Sequence, residues 1–161
     1  MNLLTKRYLL KLLILAASVI CLTGCITGRS LVIENLTEDD VLFSEPVAQI
    51  DYVIYHYTQS YDRGLITEFF SVTDAGLVPT KMIFDTDSYD YHGTRYPQSI
   101  VTKSDDTYLV EISETSAYPE IDYRVGYTIE QQMEIHTSEG IYHLTFQNAG
   151  DPGDHISVRL H

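Results

Sequence analysis

From Ser30 onward, apolar and polar residues alternate with a period of two along most of the chain. That period places successive side chains on opposite faces of an extended strand. Ser30–Asn35 reads SLVIEN, and Val47–Tyr57 reads VAQIDYVIYHY, rich in β-branched and aromatic residues. Ile66–Val72, Leu77–Phe84, Ser99–Lys103, Thr107–Ser113, Ile121–Thr128, Gln132–Thr137, Ile141–Gln147 and His155–Leu160 continue the pattern. Turn-forming groups separate these runs: Thr73–Gly76, Lys103–Asp106, Ser138–Gly140 and Asn148–Gly153. Short strands spaced about ten residues apart predict an all-β domain, a single antiparallel β-sandwich or barrel. Pro79 lacks the N–H a ladder needs, so it predicts an edge or a bulge. Thr37–Phe43 is the best helix candidate, with Thr37 as N-cap and Asp40 three residues on.

One hairpin carries a specific expectation. With Glu139-Gly140 as a two-residue turn, Ile135 faces Leu144 and Met133 faces Phe146 on one apolar face. A slip of one residue would bring His143 beside Ile135 and mix the faces. This register sets His136 directly opposite His143, with Glu134 on the same polar face.

The N-terminus departs from the period-two pattern. Lys6, Arg7 and Lys11 precede the uncharged apolar run Leu12–Leu22, which is too short to span a bilayer and suits a signal peptide. Leu22-Thr23-Gly24-Cys25 follows and resembles a bacterial lipobox. The reading divides the chain into a lipoprotein signal peptide (1–24), a tether (25–30) and a β-rich domain (31–161). The Cys25 thiol would carry diacylglycerol and hold the protein at the cell envelope. Ile26 in place of Asp matches an outer-membrane destination in a double-membrane host.

Composition then narrows the function. The chain has 161 residues and a formal net charge of −13. Removal of residues 1–24 takes three basic and no acidic residues, leaving 7 basic against 23 acidic, a net of −16 over 137 residues. Such a balance argues against a nucleic-acid partner. Cys21 leaves with the signal and Cys25 is lipidated, so the exported domain has no thiol for a disulfide. The chain has no glycine-rich phosphate loop and no G-x-S-x-G elbow.

Three polar groupings have chemical potential. His136 and His143, with Glu134 as a third ligand, form a candidate divalent-metal site. Asp85-Thr-Asp87-Ser-Tyr89-Asp90 has the first two positions of a calcium loop, but Tyr89 stands at the fifth position and no Gly follows at the sixth. Asn148–Asp154 offers oxygen ligands, though Asn and Asp in such stretches more often bond their own backbone. Tyr52, Tyr55, Tyr57 and Tyr61 suit a sugar or cation surface and equally suit a strand.

Gln59-Ser60-Tyr61 followed by Ile66-Thr67-Glu68 resembles the signature of a family of small uncharacterised exported β-rich domains. That signature reads His-Ser-Val, then Pro-Val-any-Glu, with the Glu nine residues after the His. Ser60 and Glu68 match, whereas Gln59 replaces the His. Gly93-Thr-Arg95-Tyr-Pro97 keeps the first Gly and the Pro of a second block, Gly-Ala-Gly-any-Pro. The family's members often occur beside permeases of TAXI-type TRAP transporters. The resemblance implies a lipid-anchored extracytoplasmic binding or accessory module, with a permease or solute-binding protein as partner. The alternatives are an exported hydrolase or metal-dependent enzyme using His56, Glu68 or the His136–His143 pair, and a structural envelope lipoprotein.

Overall fold

The structure is a computed structural model and describes residues 28–59, 63–85, 96, 99–113 and 115–161. Eleven strands run through these residues: β1 (Ser30–Asn35), β2 (Asp40–Pro46), β3 (Ile50–Thr58), β4 (Leu65–Thr73), β5 (Gly76–Phe84), β6 (Ile100–Ser104), β7 (Thr107–Glu111), β8 (Glu120–Arg124), β9 (Gln131–Thr137), β10 (Gly140–Thr145) and β11 (His155–Leu160). They form two antiparallel sheets, of order β2-β1-β11-β8 and β10-β9-β3-β4-β5-β7-β6. The sheets pack as a sandwich with free edges rather than a closed barrel, which decides between the two expected architectures. No helix among the described residues is long and apolar enough to cross a membrane.

The period-two pattern sets the core. Leu31, Ile33, Ile156 and Val158 of the small sheet meet Val53, Phe70, Met133, Ile135 and Leu144 of the large one, with Tyr55 and Phe146 between them. Burial of each such aliphatic or aromatic side chain contributes about 1.5–3 kcal/mol. Ile66, Met82, Phe84, Tyr96 and Val110 form a second apolar cluster on the same side of the large sheet.

Four expectations are corrected. The expected helix Thr37–Phe43 is instead the end of a turn followed by strand β2 (Asp40–Pro46) at the edge of the small sheet. The turn before it is shaped by Asn35, whose Oδ1 accepts the N–H groups of Thr37 (2.9 Å) and Glu38 (3.2 Å). Asp39 takes a left-handed φ of 57° there, and the Thr37 hydroxyl accepts the His155 N–H instead of capping a helix. The run Ile141–Gln147 ends as a strand at Thr145, because Phe146–Ala149 turns into one helical turn that buries Phe146. Val47–Gln49 is a 3-10 turn ahead of β3.

The fourth correction is the β9–β10 register. Met133 pairs with Leu144, Ile135 with Tyr142, Glu134 with His143 and His136 with Ile141, so His136 does not face His143. The turn is Ser138-Glu139, and Gly140 is the first residue of β10. Thr137 fixes this arrangement: its hydroxyl donates to the Gly140 carbonyl (3.0 Å) and accepts the Glu139 N–H (3.3 Å). Pro79 does lie at a bulge, where the β4–β5 register shifts between Phe69 and Phe70.

Candidate functional site

The core takes one face of the large sheet, so the alternate residues of each strand form the other. On β9 these are Gln132, Glu134 and His136; on β10, Ile141, His143 and Thr145; on β3, Tyr52, Ile54 and His56; on β4, Thr67, Phe69 and Ser71.

Glu134 lies on β9, second from one edge of the sheet, at the centre of a group of histidines. His143 is opposite it on β10, and His136 lies two residues along β9. His56 approaches diagonally from β3, where Ile54 is the residue paired with Glu134. His136 Nε2 is 3.2 Å from Glu134 Oε2, while His56 Nε2 and His143 Nδ1 are each 3.7 Å from Oε1. The first separation fits a long hydrogen bond, and the other two exceed one. The side chains of His136, Glu134 and His56 are 17%, 23% and 29% exposed, against 52% for His143.

Two neighbours hold the rings. Tyr52 pairs with His136 across the ladder and stacks on its imidazole, with centroids 4.1 Å apart and planes 21° apart. Thr67 pairs with His56, and its Oγ1 lies 3.0 Å from His56 Nδ1. The chain Thr67–His56–Glu134 has the order of a nucleophile, base and acid. Its second link, at 3.7 Å, is longer than the hydrogen bond such a relay uses. As the side chains stand, no group of three or more His, Cys, Asp or Glu among the described residues is set to hold a metal ion.

A groove of about 650 Å³ adjoins the cluster, lined by Tyr52, Phe69, Ser71, Thr80, Lys81 and Glu111. Lys81 faces Glu111 in register and lays its ammonium 3.9 Å over the Phe69 ring. The groove thus offers an aromatic floor with a cation and an anion on its wall. Tyr52 links it to the histidines.

Glu68 is not part of this face. It is 2% exposed on the core side of β4, opposite Tyr55 and Met82, and accepts the Tyr57 hydroxyl at 3.3 Å. The fold therefore separates His56 from Glu68, which an enzyme using both would need together. Gln59 closes the loop after β3, its N–H donating to the Gly64 carbonyl (2.8 Å). Cys25, Ser60, Tyr61, Asp87, Tyr89, Asp90, Gly93, Arg95 and Pro97 lie outside the described residues.

The acidic loops are tied into the backbone where they are described. Asp85 Oδ1 accepts the Leu65 N–H. Asp154 Oδ2 accepts the Asp151 N–H (2.9 Å) and the Asn35 side-chain amide (3.1 Å). These bonds bind the last loop to β1, a structural role for the Asn148–Asp154 segment.

Sequence reasoning grouped His136, His143 and Glu134 but not His56, Thr67 or Tyr52. Parity along β3 puts Tyr52 and His56 on one face. Only the pairing of β3 with β9, some 75 residues later, brings that face to Glu134. Comparison with known protein families, with curated proteins and with solved structures found no match.

Proposed function

We propose that the protein is a lipid-tethered extracytoplasmic binding or accessory module, anchored through Cys25 and serving a TRAP-type solute transporter. The observation that carries the binding role is the face of the large sheet turned away from the core. It gathers three imidazoles, a carboxylate and an aromatic-floored groove on adjacent strands. A scaffold protein has no need to hold ionisable and aromatic groups together on a rigid sheet, whereas a recognition surface does. The anchor rests on the basic, apolar and Leu22–Cys25 segments, and the transporter link on the two motif blocks around Ser60–Glu68 and Gly93–Pro97.

Affinity purification of the full chain from its native membrane, with mass spectrometry of both the bait and its partners, tests this reading. The expected bait begins at Cys25 with a diacylglycerol adduct and co-purifies with a permease or solute-binding protein. An unmodified bait beginning elsewhere contradicts the anchor, and recovery of neither partner contradicts the transporter role.

A further inference from the structure

We propose that His56, Glu134, His136 and His143 form a binding site for a divalent first-row transition ion. The inference deepens the reading of this face as the binding surface and rests on it. Its first support is distance. Ligand bonds of about 2.0–2.2 Å in a tetrahedral site place neighbouring donor atoms roughly 3.3–3.5 Å apart. His56 Nε2 and His143 Nδ1 each stand 3.7 Å from Glu134 Oε1, and His136 Nε2 stands 3.2 Å from Oε2, so each nitrogen–oxygen pair taken singly lies near that edge length.

The second support is independent of the first. A metal-ligating imidazole ordinarily donates its other N–H to a fixed oxygen, which sets the tautomer and aims the lone pair at the ion. Thr67 Oγ1, 3.0 Å from His56 Nδ1, is such an oxygen, and it leaves Nε2 directed at Glu134. The Tyr52 ring stacks on His136 and limits rotation of its plane, without setting its tautomer. Two of the three imidazoles are thus held in place. His143, the most exposed, is free to swing in.

The side chains as they stand are not yet gathered round one point. Glu134, which would be one ligand of the ion, stands between the nitrogens that would be the others. Rotation of Glu134 and His143 about their side-chain bonds turns the convergence into a coordination shell. Imidazole donors with one carboxylate select zinc, nickel, cobalt or copper over calcium and magnesium, which prefer all-oxygen shells. The net charge of −13 adds a field that draws cations to the domain.

Titration calorimetry with zinc on the full chain in detergent micelles, carrying no polyhistidine tag, tests the site. The native protein is expected to take up one zinc per chain. His56→Ala and His143→Ala should each bind at least about tenfold more weakly, and Thr67→Val, which keeps the ligands but removes the orienting oxygen, about tenfold more weakly. His155→Ala is the control, because that imidazole pairs with Asp122 on the small sheet and should leave the titration unchanged. Far-UV circular dichroism of each variant separates loss of site from loss of fold. Absence of saturable heat, or equal affinities in the native protein and a folded His56→Ala variant, overturns the proposal. Partner capture is measured separately with zinc chelated, so a failed metal site and a failed binding module give different results.

Discussion

Gly76 and Gly140 end two hairpin turns of the same design, and they differ in one physical respect. In each, a Thr three residues earlier donates its hydroxyl to the glycine carbonyl and accepts the N–H two residues after itself. Both glycines hold a positive φ, 137° and 147°, that L side chains rarely adopt. A Cβ at Gly140 would meet nothing within 4 Å, whereas one at Gly76 would stand 2.1 Å from the Tyr118 carbonyl oxygen. That close approach is where β5 bridges to Tyr118. Gly140→Ala should cost roughly 1–3 kcal/mol of stability through backbone strain. Gly76→Ala should cost roughly 1–3 kcal/mol more through the clash. Urea denaturation of both variants checks the difference, and equal midpoints would contradict it. The shared turn explains what residue-level reading missed: a Gly in Ser138-Glu139-Gly140 looks like a turn centre, but the Thr137 hydroxyl makes it the strand's first residue.

At the scale of elements, most strands were legible because one face of each is buried. Alternation marks such strands with boundaries good to a residue or two, as in Thr107–Glu111 and His155–Leu160. Register was less legible. A slip of one residue exchanges the faces and is excluded by pattern, but the observed register differs from the expected one by two, which keeps every side chain on its face. Only turn geometry separates two such registers. The β2 segment was misread because Thr37 and Asp40 have helix-start spacing, while the deciding signal was the preceding Asn35, which bonds the turn. The site was half legible for a related reason: its β9–β10 part is local, and His56 enters through a long-range pairing. Position in the sheet also predicts protection. β6 is exposed at every residue and lies at the edge, whereas β3 is paired on both sides. Amide hydrogen exchange should therefore be faster in Ile100–Ser104 than in Val53–Tyr57 by roughly two orders of magnitude or more. Comparable rates would contradict the assigned strand order.

Over the whole molecule, the two sheets have outward faces of different character. The small sheet's outer face is a ladder of polar pairs: Arg159 bonds Glu34, the Ser157 hydroxyl donates to Glu120, and His155 Nε2 stands 2.9 Å from Asp122. His155 Nε2 and Arg159 Nε are nonetheless buried without a hydrogen bond. The large sheet instead presents Glu134 under three imidazoles, beside a groove open to a ligand. This second face is the one proposed above as the binding surface. Site-specific photo-crosslinking in living cells tests it most directly, with the reactive residue at Ser71 in the groove, at Ile141 beside His136, or at Val41 on the small sheet. Adducts with a transporter permease or solute-binding protein are expected from positions 71 and 141 and none from position 41. Adducts from position 41 alone, or from no position, would contradict it.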